Sequence, residues 1–167
     1  MRIGIVGPWS ARGPGEENRI IAETLCELGH AVTPLPGWAS TPLSGTQPIF
    51  AGITPLVERT AQAQLERSLF QYDAVVVSGT NIDHGRVLRA ARGKPVIVWE
   101  HGRCDLLDCL SDDLCKDNVT FVSGSEERTL KTRKRGRRAF KIERPARGED
   151  REGFKRQLTE LLEGSTT

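Results

Sequence analysis

The sequence predicts a single α/β domain with a doubly wound, Rossmann-like fold and a mostly parallel sheet of five or six strands. Short, almost continuous apolar runs alternate along the chain with helical patterns. Such runs are typical of parallel strands that helices cover on both faces. The length of 167 residues fits one domain, and 37% apolar with 28% charged residues suffices for a core and a hydrated surface.

The first two strands are predicted by the apolar runs at Arg2–Gly7 and Ala31–Leu35. Between them, apolar residues recur at helical spacing over Glu16–Leu28, and Gly29 follows as a residue that readily ends a helix. The segment Pro36–Phe50 is rich in Pro, Gly, Ser and Thr, which predicts a long loop.

Four further strands and several helices complete the predicted order. The later strands lie at Asp73–Ser78, Pro95–Trp99, Asn118–Val122 and Ala139–Glu143. The helices run from Thr54 and Pro55 to about Gln71, over Ile82–Arg92, as a helical turn over Asp105–Cys115, from a cap at Ser125, and over Glu149–Glu163. We expect a Rossmann-like core over residues 1–127, a basic helix and loop segment over 128–148, and a C-terminal helix over 149–167 that packs on the same domain.

Several classes of protein do not fit the composition. No window approaches the ~18 consecutive apolar residues of a membrane span, and the opening MRIGIVG lacks the pattern of a secretory signal. We therefore expect a cytoplasmic protein whose four cysteines are free thiols. Cys104, Cys109 and Cys115 lie near His101, but they lack the close pairs that are typical of zinc sites. We predict neither a metal nor a cofactor.

Charge is distributed unevenly, although the formal net charge is only +2. Residues 128–147 contain ten Lys and Arg residues and one Glu, so the rest of the chain is acidic. A basic run on an acidic body predicts an anionic partner such as nucleic acid, or else a solvated helix face that leads into a loop. The residues that we expect to bind a polyanion are Arg133, Lys134, Arg135, Arg137 and Arg138.

The ligand site of a doubly wound fold is expected outside the carboxyl ends of the strands, where the strand order reverses. The loop after the first strand, Gly7–Glu17, contains glycines that let the backbone approach a ligand, and it leads into a helix N-terminus that favours anions. Its spacing matches neither GxGxxG nor a P-loop, and Glu16 and Glu17 oppose a phosphate there. Trp9 and Trp38 fall in loops at this edge, where their rings could stack on a sugar or base.

His101 is the strongest candidate for a catalytic residue. It follows a predicted buried strand, between Glu100 and the pair Gly102 and Arg103. An imidazole can accept a proton from a sugar hydroxyl near neutral pH, and Arg103 can hold a phosphate or carboxylate. A structural histidine that binds backbone, and a surface ion pair for Arg103, are the alternatives.

Several segments resemble those of a known enzyme family when they are taken in order. These are the loop and helix over residues 6–32, which end in a Gly-His-x-Val turn at Gly29–Val32, the strand Tyr72–Ser78, GKPVIVWEHG at Gly93–Gly102, NVTFVSGSE at Asn118–Glu126, and the stretch Ile142–Phe154. Together they resemble the N-terminal domain of GT-B fold glycosyltransferases, particularly the large retaining family that includes many sucrose and mannose transferases.

This resemblance implies the acceptor-side half of an enzyme that transfers a sugar from a nucleotide-sugar. The family has two Rossmann-like domains and binds its donor mainly on the second, so the chain would need a donor domain in trans. His101 would then act as base or orienting group, with a glycan or other acceptor nearby. The residues that we expect at the ligand site are Gly7, Pro8, Trp9, Gly13, Gly15, Glu16, Trp38, Ser78, Gly79, Thr80, Asp83, Glu100, Gly102, Arg103 and Ser123.

Two alternatives remain open. The segment Ser78–Pro95 is similar to the central motif of nucleoside 2-deoxyribosyltransferases, with Asp83 and Gly85 in matching places. Arg89 stands where that family has its nucleophilic glutamate, so only base or nucleotide binding would survive. The other alternative is a non-catalytic binding module that docks on nucleic acid or a larger assembly through its basic segment.

Overall fold

Six parallel strands form one sheet in the computed structural model, which describes residues 1–9, 13–36, 61–79, 82–100, 110–143 and 151–166. The strands are β1 (Arg2–Gly7), β2 (Ala31–Pro36), β3 (Ala74–Ser78), β4 (Val96–Trp99), β5 (Val119–Ser123) and β6 (Arg138–Lys141). Their order in the sheet is β2-β1-β3-β4-β5-β6, and every neighbouring pair is parallel. The predicted doubly wound, Rossmann-like fold is confirmed.

Five helices are present in the described part of the chain. They are α1 (Pro14–Glu27), α2 (Gln62–Phe70), α3 (His84–Ala91), α4 (Glu126–Lys134) and α5 (Glu152–Thr166). None of these five is long and apolar enough to cross a membrane. The predicted loop beyond Pro36 and the first part of the turn over Asp105–Cys115 lie outside the described residues. The prediction of one helix from Thr54 to about Gln71 is wrong, because Ala61 is an extended N-cap and α2 begins at Gln62.

The ends of the helices follow from local residue chemistry. Ser125 and Asp83 accept hydrogen bonds from backbone N–H groups three residues on, and so cap α4 and α3. Basic residues in the last turn of α4 and acidic residues in its first turn suit the helix dipole. Gly29, with φ of 84°, follows α1 as predicted.

The sheet is covered on both faces, as the continuous apolar strands predicted. Along β3, Val75 and Val77 belong to one core cluster, whereas Val76 belongs to the other. The first cluster is closed by α2 and α3, for example through Leu65 and Val87. The second is closed by α1 and α5. Because successive side chains of a strand point to opposite faces, a strand buried on both sides must be apolar throughout.

The basic segment and the C-terminal helix are built into this layered structure. β6 pairs with β5 along its whole length, and α4 connects the two strands. Leu158 on α5 is 2% exposed in the second core cluster, and Phe154 meets Trp99 edge to face with ring centroids 6.3 Å apart. The described parts of both segments therefore share the core of the preceding residues.

Candidate functional site

The strand order reverses between β1 and β3. From β1 the chain passes to β2 on one side, and from β3 it proceeds through β4 to β6 on the other. In open α/β sheets this reversal creates a crevice outside the carboxyl ends of the two strands, and ligands bind there. Gly7 and Pro8 line it from the β1 side, and Ser78 and Gly79 from the β3 side. We refer to these four residues as the switch-point crevice.

A buried amide holds the two sides of the switch-point crevice together. Asn18 on α1 is fully buried, and its Nδ2 donates to the carbonyl oxygen of Pro8 at 2.9 Å. The hydroxyl of Ser78 donates to Oδ1 of the same side chain. The first loop, the end of β3 and α1 are thus fixed to one another. Asn18 is not among the predicted site residues, although its place at the head of the buried stripe of Ile21 and Leu25 makes it an unusual polar residue.

Two glycines are required by close backbone approach at this crevice. A Cβ on Gly7 would lie 2.4 Å from Asn18 Nδ2 and 2.9 Å from the carbonyl oxygen of Ser78. Gly79 has φ of 106°, and a Cβ there would lie 2.8 Å from Cδ of Pro8. Both glycines are buried and are required by contacts with the protein itself, so their predicted role in ligand binding stays a prediction.

Trp9 does not fit its prediction. Its side chain has no exposed surface and lies in the second core cluster with Ile5 and Ile21. A ring of this size gains most from burial in the core, which leaves no face on which a sugar or base can stack. Trp38 lies outside the described residues.

The start of α1 combines features that attract and repel anions. Gly13 is its N-cap and makes no side-chain hydrogen bond to the helix. Because α1 follows the carboxyl end of β1, its first N–H groups face the carboxyl edge of the sheet. Gly15 is buried in the first turn, where Glu16 and Glu17 also lie. The two carboxylates oppose a bare phosphate at this helix end.

Two buried polar residues lie at the same edge, Glu100 directly after β4 and Ser123 at the end of β5. The backbone N–H of Glu100 donates to the carbonyl oxygen of Val122 at 2.9 Å, and its side chain is only 6% exposed. Ser123 is 5% exposed, and its Oγ accepts the N–H of Ser125 at 3.1 Å. Ser123 therefore has a local role in starting α4, beside its predicted role in ligand binding.

Asp83 also has a local role. Its carboxylate accepts the N–H of Arg86 at 3.0 Å and so caps α3. This capping contact is a sufficient reason for an aspartate at this position, whether or not a ligand binds there.

The remaining predicted site residues lie outside the described residues. They are Thr80, His101, Gly102 and Arg103, together with Cys104 and Cys109 of the cysteine group. In the described part of the chain no three His, Cys, Asp or Glu side chains are placed to hold a metal ion.

The predicted polyanion-binding residues do not share one environment. Arg137 is 8% exposed, and its Nη2 donates to the carbonyl oxygen of Leu110 at 3.2 Å and pairs with the carboxylate of Asp112. Its guanidinium also lies 5.6 Å from the ring centroid of Phe121. Arg137 is thus a buried structural residue, and the prediction that it binds a polyanion is wrong for this reason. The guanidinium also lowers the pKa of Asp112, through a hydrogen bond and its charge.

The other four side chains of this set are exposed, and they lie away from the switch-point crevice. Arg133 Nε donates to the carbonyl oxygen of Ala139 at 2.9 Å, and Arg138 Nη1 to that of Gly164 at 2.6 Å. Because α4 runs back from the carboxyl end of β5 to the amino end of β6, its basic last turn lies at the amino ends of the strands. Lys134 and Arg135 lie in the same region.

Comparison with known proteins relates the fold to a glycosyltransferase. No protein-family model matches the sequence, and no curated protein matches it significantly. A solved structure of an alpha-glucosyltransferase in complex with UDP and a 13-mer DNA containing a central A:G mismatch is similar, with a TM-score of 0.58 and 14% identity. The match covers 87% of this chain and 40% of the glucosyltransferase. At this identity it shows the fold alone, and it agrees with the predicted Rossmann-like fold.

Proposed function

We propose that this chain forms the acceptor-side half of a GT-B glycosyltransferase that transfers a sugar from a nucleotide-sugar. The observation that carries the proposal is the fold similarity to an alpha-glucosyltransferase over 87% of the chain. The switch-point crevice supports it, because it lies at the edge where doubly wound folds bind ligands. Since the chain spans 40% of that glucosyltransferase, the complete activity is proposed for an assembly that includes a donor domain.

In this proposal the acceptor hydroxyl lies against the carboxyl edge of the sheet. Its oxygen attacks the anomeric carbon of the sugar, the bond from that carbon to the phosphate oxygen breaks, and the nucleoside diphosphate leaves. His101 takes the proton of the attacking hydroxyl or orients it, and Arg103 holds an anionic group. The solved glucosyltransferase contains UDP and DNA, so UDP-glucose and duplex DNA are the first donor and acceptor to test.

Thermal unfolding of the purified chain with UDP-glucose, UDP, oligosaccharides and duplex DNA tests the proposal. A ligand at 100 times its Kd raises the free energy of unfolding by about 2.7 kcal/mol, which is readily measured. We expect UDP-glucose or an oligosaccharide to raise the midpoint. No shift with any nucleotide-sugar or glycan would contradict the proposal.

A matched pair of histidine variants tests the chemistry. Release of UDP from UDP-glucose, with an acceptor and a donor domain present, is measured for wild type, His101→Ala and His30→Ala. His30 lies at the end of α1 within 3.5 Å of the terminal amine of Met1, distant in sequence from the proposed base. We expect loss of UDP release in His101→Ala alone. Full activity in that variant would remove His101 from the chemistry.

The same assays distinguish a binding module without turnover. Exposed basic side chains such as Lys134 and Arg135 favour this second candidate, which would dock on nucleic acid or a larger assembly. A midpoint shift without UDP release, when a donor domain is present, would support it. Deoxynucleosides, added to the same thermal unfolding experiment, test the similarity to nucleoside 2-deoxyribosyltransferases.

A further inference from the structure

Two adjoining cavities lie at the amino ends of the strands, opposite the switch-point crevice. One has a volume of about 420 Å³ and is lined by Lys116, Arg133 and Arg138 among others. The second, of about 410 Å³, is lined by Arg89, Arg92 and again Lys116. Since Lys116 lines both, the two cavities adjoin, and we call them together the amino-edge groove. These five basic residues are exposed, whereas a sixth, Arg137, also lines the first cavity and is buried.

The basic residues of the amino-edge groove come from separate parts of the chain. Arg89 and Arg92 end α3, Lys116 precedes β5, and Arg133 and Arg138 flank the turn between α4 and β6. The dipole of α4 explains a basic last turn on that helix, but it does not explain Lys116 before another strand. Convergence of these elements on one groove therefore indicates a site for an anion.

The fixed side chains of the groove suit phosphate. Arg133 donates through Nε to the carbonyl oxygen of Ala139, and Arg138 through Nη1 to that of Gly164, so both guanidiniums are held in place. A guanidinium has five N–H donors in a planar fork that matches phosphate oxygens. Asp113 and Asp117 line one cavity each, so basic residues outnumber acidic ones in both.

The dimensions of the groove favour a polymer of phosphates. It extends at least from β4 to β6, which is roughly 10 Å at the usual strand spacing. Duplex DNA carries a charge every ~1.7 Å of its axis, or about six charges over that length. Among the described residues that line the groove, none is an exposed aromatic or long apolar side chain. Surfaces that bind membranes or other proteins rely on such side chains, whereas a surface that binds a phosphate backbone does not need them.

We propose that the amino-edge groove binds the phosphate backbone of duplex nucleic acid, independently of the switch-point crevice. The two sites lie at opposite edges of the sheet, separated by the length of α4, which is about 13 Å. Nucleic acid held in the groove is therefore anchored to the protein rather than presented at the crevice as an acceptor. Binding in the groove does not require glycosyl transfer.

Fluorescence anisotropy with a labelled 20-base-pair DNA duplex, in 50 to 200 mM NaCl, tests the proposal. Wild type is compared with Arg89→Gln/Lys116→Gln, which removes two charges from the groove. Each phosphate contact contributes about 0.9 to the slope of log K against log salt. We expect the slope to fall by about 1.8, and the affinity at ~100 mM salt to fall roughly 10- to 100-fold.

Matched variants test whether DNA binds at the amino-edge groove, and a vesicle control tests whether nucleic acid is the ligand. Arg128→Gln/Arg156→Gln removes the same charge from helices that begin at the carboxyl edge, and Glu127→Gln removes a negative charge from the exposed first turn of α4. We expect both to bind as wild type does. An equal loss in the first, a clear gain in the second, or an unchanged groove variant would overturn the proposal. Absence of duplex binding, or binding to phosphatidylserine vesicles alone, would also overturn it.

Discussion

Arg137 was predicted from its charged neighbours in the sequence, but its surroundings in the fold give it a different role. It lies within a run of basic residues and was therefore predicted to bind a polyanion. In the structure its guanidinium is buried over Phe121 and donates to the carbonyl oxygen of Leu110. A buried cation needs partners that satisfy its donors. Asp112, although exposed, supplies one of them.

Asp112→Asn tests this contact through the pH dependence of stability. The Arg137 guanidinium lowers the pKa of Asp112 in the folded state. Its stabilising contribution is therefore complete above the unfolded pKa of about 3.9 and is lost as pH falls through the lower folded value. We expect the variant to be less stable than wild type at pH 7, and the difference to shrink below about pH 4, as measured by urea unfolding from pH 7 to pH 3.

The control for this prediction is a double-mutant cycle. In an Arg137→Met background, Asp112→Asn has lost its partner and should change stability little at any pH. A difference that persists in that background, or one that stays constant down to pH 3, would show that Asp112 does not act through Arg137.

At the scale of elements, Asp83 has two candidate roles, one in capping helix α3 and one in binding a ligand. It caps α3 through the N–H of Arg86, yet it also matches a motif residue of nucleoside 2-deoxyribosyltransferases. Asp83→Ala removes the cap and should lower the free energy of unfolding by about 1 kcal/mol. Asp83→Asn caps almost as well, so its stability in urea should stay close to wild type.

The asparagine variant also separates capping from ligand binding. If Asp83 only caps α3, the thermal shifts caused by nucleotides or deoxynucleosides should be the same in Asp83→Asn and wild type. A shift seen in wild type and abolished in Asp83→Asn would assign the carboxylate to a ligand. An Asp83→Ala variant as stable as wild type would contradict the capping role.

The order of elements was predictable because it depends on local patterns. Apolar runs located all six strands, with boundaries displaced by only one or two residues, as for β6 at Arg138–Lys141 instead of Ala139–Glu143. Helix α1 begins two residues earlier than predicted, because Pro14 suits the first turn of a helix. Strand ends depend on pairing with neighbouring strands, which periodicity does not contain.

The candidate site was predictable only in part, because its geometry is non-local. The rule for doubly wound sheets located the switch-point crevice, and the glycines at its edge followed from the sequence. Asn18 and Ser78 are 60 residues apart and meet only in the folded chain. Lys116 and Arg133 likewise converge from different elements. Burial of Trp9 required knowledge of how α1 and α5 close the second core cluster.

At the scale of the whole molecule, the packing of α5 on the sheet determines whether the described segments unfold as one cooperative unit. Leu158 is 2% exposed in the second core cluster, which also contains Trp9 and Trp99. Ion pairs between Arg151 and Glu23 support the same contact of α5 with α1. Such exposed pairs contribute little, so apolar burial must hold α5 in place.

Leu158→Ala should therefore lower the free energy of unfolding of the entire domain by about 2–5 kcal/mol, because it leaves a cavity under the sheet. Urea unfolding is followed by circular dichroism for all helices and by tryptophan fluorescence for the second core cluster. In a cooperative unit both transitions coincide and move together. Leu130→Ala, at a side chain 46% exposed on α4, should change stability by less than about 0.5 kcal/mol. Separate transitions, or a shift in only one probe, would mean that α5 unfolds apart from the sheet.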